Sequence, residues 1–240
     1  MNYILVLLLL LLNFSVFAID YKVRLGDTKV VIRSTSSPHQ NRRQQHTTYV
    51  HLHKNEQTAL NAAKAVIKKQ GGTLITLVHP GGRTIVFHLH RKRYEFDPNR
   101  IFTDTGIKNT LTQYRSYSPQ AHREVKKLAV SIKHLLPKGK IIAVHNNSHY
   151  SLKDYMPGHQ FAKNAKKLHK NPKKTYRNFY LVTKFSDFKR LKNSGFNGVL
   201  QKRSVKDDGS LSVLLADSTY INVEAGYDQL YEQIRMLQRA

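Results

Sequence analysis

Residues 49–63 read YVHLHKNEQTALNAA, and within this stretch a strand pattern changes into a helix pattern. Residues 49–53 alternate in the manner of a short strand. From 56 to 70, Ala, Leu and Val recur at helical spacing, and Gly71 and Gly72 then end the helix. Functional side chains of α/β proteins collect where strands end and loops begin. The stretch therefore predicts a strand–turn–helix unit with His53 and Glu56 at its junction.

Strand and helix patterns alternate along most of the chain. Helices are predicted at 56–70, 118–136, 185–193 and 226–239. Strands are predicted in a hairpin at 19–33, at 49–53, in a second hairpin at 73–79 and 84–90, and at 140–145, 179–183, 199–202, 211–215 and 220–223. Such alternation predicts the α/β class, as a single three-layer domain with a mixed central β-sheet. An N-terminal hairpin and polar linker, 19–47, are expected to precede the catalytic domain, 48–240.

The first 18 residues, MNYILVLLLLLLNFSVFA, have the pattern of a secretory signal peptide. An apolar run at 4–12 is followed by Val16 and Ala18 at small-residue spacing, which predicts cleavage after Ala18. An uncleaved anchor is the alternative, although the run is shorter than the roughly 20 apolar residues that cross a bilayer. No later segment approaches that length. The expected location is periplasmic or secreted, with no transmembrane segment in the mature chain.

The chain of 240 residues is strongly basic, with 40 Lys and Arg, 15 Asp and Glu and a net charge of +25. A field of this sign attracts anionic partners. Nucleic acid is not expected, because the chain carries an export signal and its aromatic residues do not interleave with the basic ones. The densest basic stretch, 163–177, is either a solvated loop or a docking surface for an anionic polymer or the cell wall. The absence of Cys leaves His, Asp and Glu as the available metal ligands.

Polar residues follow apolar runs at four places, which predicts that they point out of the core at strand ends. They are His53 with Glu56, Asn99 with Arg100, His145 and Glu224. Two His and one Glu leave a fourth coordination position open, which is typical of catalytic rather than structural zinc. A separate carboxylate is then required to transfer a proton, and Glu224 is the candidate.

Each of these residues also has an ordinary structural interpretation. Asn55 is a candidate N-cap with Glu56 in the first helical turn. Asp97-Pro98-Asn99 is a turn-forming sequence. Glu224 is alternatively a surface carboxylate before the last helix. The remaining histidines, including His51, His88, His90 and His149, are expected at the surface or behind the ligands.

Four motifs occur in a fixed order: HKNE at 53–56, FDPNRIF at 96–102, VHNNS at 144–148 and NVEAG at 222–226. Together they resemble the zinc carboxypeptidase superfamily, and within it the succinylglutamate desuccinylase/aspartoacylase branch. The usual pattern of that branch is His-Gly-Asn-Glu, Asp-Leu-Asn-Arg-x-Phe, His-Asn-Thr and Glu-Val-Gly. The resemblance implies a zinc carboxypeptidase-like fold and a Zn²⁺ cofactor.

The resemblance also implies a role for each matched residue. The roles are zinc binding by His53, Glu56 and His145, proton transfer by Glu224 as general base and then acid, binding of a substrate carboxylate by Asn99 and Arg100, and polarisation of the scissile carbonyl by Arg93. The match of Arg93 requires a one-residue gap. Three positions depart from the pattern, because Lys54 replaces glycine, Pro98 replaces leucine and Ala225 replaces valine. The tyrosine that classical carboxypeptidases place before the catalytic Glu has no clear counterpart, although Tyr220 and Tyr227 are near.

The function expected from these observations is zinc-dependent hydrolysis of an amide or peptide bond next to a carboxylate-bearing residue. The predicted compartment suggests cell-wall peptides as substrates. Two alternatives remain open at this point. One is a deacylase acting on small N-acyl amino acids. The other is a non-catalytic protein that keeps the fold and binds anionic polymers through its basic surface.

Overall fold

In a computed structural model the chain is described over residues 17–37, 47–115 and 117–240. The strands are β1 (Phe17–Leu25), β2 (Thr28–Ser37), β3 (Thr47–His51), β4 (Gly72–Val78), β5 (Ile85–Leu89), β6 (Lys92–Phe96), β7 (Lys140–Asn147), β8 (Ala165–His169), β9 (Phe179–Val182), β10 (Asn197–Gln201) and β11 (Tyr220–Gly226). The α-helices are α1 (Gln57–Gln70), α2 (Asp104–Gln113), α3 (Pro119–Leu135), α4 (Phe185–Asn193), α5 (Leu211–Leu214) and α6 (Leu230–Arg239). Short 3₁₀ turns lie at Pro98–Arg100, Leu152–Tyr155 and Ala162–Asn164.

Nine strands form one mixed sheet in the order β1-β2-β4-β3-β7-β11-β9-β10-β8. The centre of the sheet is parallel: β4 pairs with β3, β3 with β7, and β7 with β11. Antiparallel pairs flank this centre on both sides, where β2 pairs with β4 and β9 with β11. The predicted mixed sheet of an α/β protein is therefore confirmed. The carboxyl ends of the central strands meet at one edge, where the polar motifs follow.

Helices cover both faces of the sheet, as adjacent residues of β7 demonstrate. Ile142 and Val144 pack in a core with residues of α1, α4 and α6. Ile141 and Ala143 point the other way and pack with residues of α2 and α3. Because successive strand residues face opposite sides, the two cores lie on opposite faces of the sheet. The predicted three-layer arrangement is confirmed.

The second predicted hairpin is wrong, because β4 and β5 do not pair. β4 is hydrogen-bonded to β2 and β3 in the large sheet, which leaves it no free edge. β5 instead pairs antiparallel with β6 in a separate two-stranded sheet. His90 and Arg91 form the turn between them with φ of 48° and 65°. Such left-handed values are characteristic of two-residue hairpin turns but are uncommon without glycine, and this concealed the hairpin.

Leu211–Leu214 is helical, so the strand predicted at 211–215 is wrong. A short apolar run has no decisive period, and here the backbone N–H of Leu214 bonds the carbonyl of Ser210 in a helical turn. The helix predicted at 118–136 is confirmed. Ser118 caps it by accepting from the N–H of Ala121, and Pro119 occupies its first turn.

The N-terminal hairpin continues the large sheet through the pairing of β2 with β4. Its turn requires glycine, because Gly26 has φ of 53° and a Cβ there would lie 2.0 Å from the carbonyl oxygen of His88. β1 begins at Phe17, so the predicted cleavage after Ala18 falls within this strand. The apolar segment before it lies outside the described residues, and the signal peptide and the domain boundary at residue 47 stay predictions. Among the described residues, no helix combines the length and apolarity needed to cross a membrane.

Candidate active site

Three neighbouring parallel strands bring the predicted residues together at one edge of the sheet. His53 lies two residues after β3, and Glu56 directly precedes α1. In the parallel pair of β7 and β11, His145 is the register partner of Glu224. Residues opposite each other in a parallel ladder project from the same face. The sheet therefore holds the candidate third ligand and the candidate base side by side, next to the β3–α1 turn.

His53, Glu56 and His145 form a buried cluster of three candidate metal ligands, whose donor atoms all lie within 4.8 Å of one another. The Nδ1 atom of His53 lies 2.9 Å from Oε1 of Glu56, and Nδ1 of His145 lies 3.0 Å from Oε2 of the same carboxylate. Both imidazoles thus converge on one carboxylate. Two imidazoles and one carboxylate match the donor set that zinc prefers in catalytic sites.

The hydrogen bonds around His53 fit a metal ligand. Its Nε2 is 2.7 Å from Oδ1 of Asp97, which fixes the ring and places a proton on Nε2. Nδ1 of His53 is buried and makes no hydrogen bond despite its closeness to Glu56. The contact of Nδ1 with the Glu56 carboxylate needs a positive charge, which a proton on the ring supplies in the metal-free protein and a bound metal ion would supply in its place. The sequence predicts only a turn at Asp97, whereas the structure places its carboxylate behind His53.

The cluster strongly perturbs the pKa values of its members. Burial opposes the charged form of His53, but the carboxylates of Glu56 and Asp97 outweigh it and raise the pKa of His53 to about 9. Burial likewise opposes ionisation of Glu56, yet His145 and His53 hold the pKa of Glu56 well below its ordinary value. Glu56 is therefore an ionised carboxylate at neutral pH. A buried anion of this kind attracts a cation into the cluster.

Glu224 is buried at the end of β11, and the groups that hydrogen-bond its carboxylate are neutral amides. Its two carboxylate oxygens accept hydrogen bonds from the side-chain amides of Asn147 and Asn222, each at 3.1 Å. Burial raises the pKa of Glu224, and the charge of Glu56 adds to this effect, while His145 and the two amides oppose it. A carboxyl with a raised pKa exchanges protons more readily near neutral pH than an ordinary one. The two asparagines were missed as members of the site.

The N-terminus of α1 is held by a residue other than the predicted cap. Glu56 occupies the N-cap position and its side chain makes no capping bond, which leaves its carboxylate for the cluster. The N–H of Ala59 instead donates to Oδ1 of Asn146 at 2.7 Å. Asn55, the predicted N-cap, donates to the hydroxyl of Tyr227 at 2.9 Å. The capping prediction is therefore wrong, and the β7 motif supplies both a candidate ligand and the helix anchor.

Asn99 and Arg100, the predicted carboxylate clamp, both line the cavity at the strand ends. The N–H of Asn99 donates to Asp97 at 2.8 Å, so the aspartate that fixes His53 also shapes this turn. The side chain of Arg100 is partly exposed and lies 3.2 Å from Oδ2 of Asp208. The guanidinium is accessible, but an incoming carboxylate competes with Asp208 for it.

Arg93 does not reach the cavity. Its half-exposed guanidinium pairs with Glu95 at 2.6 Å on the two-stranded sheet. A different arginine, Arg83, lines the cavity and donates to Oε1 of Glu56 at 2.8 Å. The turn before Arg83 is tight, because a Cβ at Gly81 would lie 2.4 Å from the carbonyl oxygen of Thr84. In the sequence, PGGR at 80–83 indicates only the turn of the predicted second hairpin, and nothing in it assigns Arg83 to the site.

Two other residues beside the cluster have structural partners. The ring of His51 contacts the backbone carbonyl of Glu56 through Nε2 at 3.0 Å, which holds the turn. Lys54 donates from Nζ to the carbonyl of His79 at 3.0 Å. No positive φ occurs at Lys54, since the non-glycine residues with positive φ in the described ranges are His90, Arg91 and Arg115. Backbone conformation therefore does not require the family's glycine at this position.

A cavity of about 420 Å³ opens over the cluster. One wall holds the candidate ligands, the base and the clamp, and Tyr227 also contributes to the lining. Tyr150 and Tyr155 contribute a second, aromatic part, in which their hydroxyl groups are hydrogen-bonded to each other. Cavities of this size accommodate small-molecule ligands. The cavity thus brings the candidate ligands, base and clamp together and leaves Arg93 outside.

No protein-family model matches the chain, and no curated protein matches it. Among solved structures, it is similar to a candidate succinylglutamate desuccinylase/aspartoacylase from Shewanella frigidimarina NCIMB 400, with 8% identity, a TM-score of 0.49 and coverage of 94% of this chain and 71% of that one. A succinylglutamate desuccinylase from Vibrio parahaemolyticus gives 10%, 0.45, 93% and 76% for the same quantities. An aspartoacylase family protein from Mesorhizobium loti gives 13%, 0.42, 92% and 65%. These descriptions name the branch that the four sequence motifs resemble.

Proposed function

We propose that this protein is a zinc-dependent hydrolase that cleaves an amide or peptide bond next to a carboxylate-bearing residue. The observation that carries the proposal is the presence, in one cavity, of the His53–Glu56–His145 cluster and of the buried Glu224 with a raised pKa. The cluster has the donors of a catalytic metal site, and Glu224 has the environment of a proton-transferring carboxyl.

The three ligands would hold Zn²⁺ through both imidazoles and the carboxylate of Glu56. When bound, such an ion polarises a carbonyl group and lowers the pKa of a water molecule. Asp97 keeps His53 in the orientation and tautomer that direct Nδ1 toward the cluster. Asn146, next to His145 in β7, accepts from the N–H of Ala59 in α1 and donates to Oε1 of Gln233. These two bonds fix the end of β7.

Glu224 would take a proton from the attacking water and deliver it to the leaving nitrogen. Its two amide partners keep both oxygens in place without neutralising their charge. Arg100 and Asn99 would bind a carboxylate of the substrate, and the planar fork of Arg100 suits bidentate pairing. Arg83, rather than Arg93, supplies a partly exposed cation on the cavity wall near the cluster.

The proposed substrates are peptides with free carboxylates, such as cell-wall stem peptides. Support for this choice comes from the secretory pattern of the first 18 residues and from Arg100 on the cavity wall, which would bind a carboxylate. Small N-acyl amino acids share the amide and the carboxylate, and they fit within a cavity of about 420 Å³. The deacylase is therefore the second candidate function.

Metal content and turnover test the proposal together. Purified protein is expected to bind near-stoichiometric zinc, and His53→Ala combined with His145→Ala is expected to lose it. Glu224→Gln is expected to retain zinc and to lower turnover by about 10²–10⁴-fold. Glu232→Gln, which changes a carboxylate paired with Lys174 away from the cavity, is the matched control. Zinc-free protein with full activity, or a fully active Glu224→Gln, would contradict the proposal.

The substrate is tested by comparing stem peptides with N-acyl amino acids under identical conditions. A higher kcat/KM for stem peptides supports the peptidase. A higher value for N-acyl amino acids supports the deacylase. Zinc binding without turnover of either class, together with tight binding of anionic polymers, would favour the non-catalytic alternative.

A further inference from the structure

The strand β8 lies at the end of the nine-stranded sheet, opposite the N-terminal hairpin. It pairs antiparallel with β10, and no strand in the described ranges pairs with its other edge. An edge strand presents unpaired N–H and C=O groups that accept an additional strand. β8 lies within residues 163–177, the densest basic stretch of the sequence, so part of that stretch is a strand rather than a loop.

A groove of about 440 Å³ runs between β8 and α4. Its floor is apolar and consists of Leu168 together with Phe185 and Phe188, whose rings stack with centroids 6.4 Å apart. Phe185 is 52% exposed, which is unusual for a large aromatic side chain. The groove therefore offers apolar surface directly beside the free edge of the sheet.

The rim of the groove is cationic. Lys167 from β8 and Lys189 and Lys192 from α4 line it, and no carboxylate does. None of the three pairs with a carboxylate in the described part of the chain, and Nζ of Lys167 lies 5.0 Å from the centre of the Phe185 ring, so the cation and the aromatic surface are adjacent in the groove. Lysines on an edge strand also protect against unwanted strand pairing. That role explains Lys167, but it requires neither the two lysines of α4 nor the exposed phenylalanine.

We propose that β8 and this groove bind an extended, carboxylate-rich peptide segment as an additional strand. The backbone of the segment would pair with the free edge of β8, an apolar side chain would pack on the exposed part of Phe185 that Lys167 leaves uncovered, and carboxylates would pair with the three lysines. Strand addition of this kind combines main-chain hydrogen bonds with side-chain pockets.

The location connects this surface to the cavity. Asn164, the residue before β8, lines the cavity over the candidate ligands, and Gln201 at the end of the paired strand β10 does so too. A peptide bound along β8 would therefore lead toward the cleavage site. That the bound segment is part of the substrate rests on the proposed hydrolase function, whereas binding of the segment to β8 does not.

Binding is tested with the zinc-chelated Glu224→Gln protein, so that no catalysis is required. The probe is a fluorescently labelled, Glu-rich peptide of about six residues with one central Phe. Its binding to the protein is measured by fluorescence polarisation. Lys167→Glu, Lys189→Glu and Lys192→Glu together are expected to weaken binding by about tenfold or more. The control combines Lys64→Glu, Lys68→Glu and Lys69→Glu on the exposed side of α1, with the same change in net charge. Equal losses in the two triple variants would overturn the proposal.

Two further probes address how the peptide is held. A peptide with alternate backbone amides methylated is expected to lose binding, because it no longer completes the strand pairing; unchanged binding would overturn strand addition. Vesicles containing phosphatidylglycerol test a membrane instead. Groove-dependent binding to vesicles without binding to the peptide would also overturn the proposal. Since zinc binding and cleavage of short substrates are measured separately, failure here is distinguishable from failure of the hydrolase.

Discussion

Glu56 and Glu224 are both buried in the wall of one cavity, yet their pKa values move in opposite directions. Glu56 lies at the turn after β3 and is surrounded by His53, His145 and Arg83. Glu224 lies at the end of β11 and is bonded to the amides of Asn147 and Asn222. Burial raises the pKa of both carboxyls. Only Glu56 has enough cationic partners to outweigh burial, so that its pKa falls.

The difference indicates a division of labour between the two carboxyls. Environments that push the pKa values of paired titratable groups apart are a means of assigning separate chemical roles to them. Glu56 remains an anion and so suits the binding of a cation. Burial raises the pKa of Glu224, which suits a carboxyl that both takes up and releases a proton. The following variants test this contrast, in order of decreasing expected effect.

Glu56→Gln is expected to lower the free energy of unfolding of the zinc-free protein by about 3–5 kcal/mol. The substitution removes the anion that pairs with two buried imidazoles and with Arg83. Chemical denaturation in the presence of a chelator measures the change. Glu232→Gln, which alters a partly exposed carboxylate paired with Lys174 and Arg235 outside the cluster, is the control and is expected to cost about 1 kcal/mol or less. Equal costs for the two variants would remove the contrast.

Asp97→Asn is expected to weaken zinc binding by about 10–100-fold. The variant keeps the shape of the side chain but replaces the charged acceptor that holds Nε2 of His53 at 2.7 Å. Competition with a chelating dye measures the affinity without reference to turnover. Asp208→Asn alters the carboxylate beside Arg100 and serves as the matched control, because Asp208 does not contact a candidate ligand. Equal affinities of Asp97→Asn and the wild type would show that His53 is oriented by other contacts.

Glu224→Gln is expected to keep the free energy of unfolding within about 1 kcal/mol of the wild type, or to raise it. The raised pKa means that the ionised carboxyl of Glu224 costs the folded state stability as pH rises through that value. Gln carries no such charge, so its advantage over Glu is absent in acid and grows toward higher pH. Denaturation midpoints across a pH series measure this trend. A large loss of stability at neutral pH would mean that Glu224 is a structural anion like Glu56.

Much of the fold was predictable because its signals are local. Helix α3 has Ser118 as a cap and Pro119 in its first turn, and both signals lie in adjacent residues. The error at β4 and β5 arose because strand pairing is not local. Two apolar strands separated by PGGR have the pattern of a hairpin, but β4 is already paired on both edges in the large sheet. Sequence spacing contains no information about such competition.

The site residues were predictable where a whole motif marks the end of a strand. They were less predictable where a single side chain from a distant segment of the chain contacts the cluster. His53, His145 and Glu224 each follow an apolar run, Glu56 lies three residues after His53, and the four line one cavity. Arg83 is 27 residues from Glu56 in the chain, yet its guanidinium donates to that carboxylate. Its position in a PGGR turn signals a loop without indicating where the side chain points.

Arg93→Ala is expected to have the smallest effect, on both zinc binding and turnover. Its partner Glu95 lies on the same strand, and the side chain of Arg93 is 55% exposed, so the pair contributes about 1 kcal/mol or less. Arg83→Ala is the informative comparison, because it removes the cation that contacts Glu56. Steady-state kinetics are expected to give a kcat/KM below that of the wild type for Arg83→Ala and a kcat/KM equal to that of the wild type for Arg93→Ala. The reverse result would restore the gapped motif match to Arg93, and it would mean that the two-stranded sheet moves over the cavity when substrate binds.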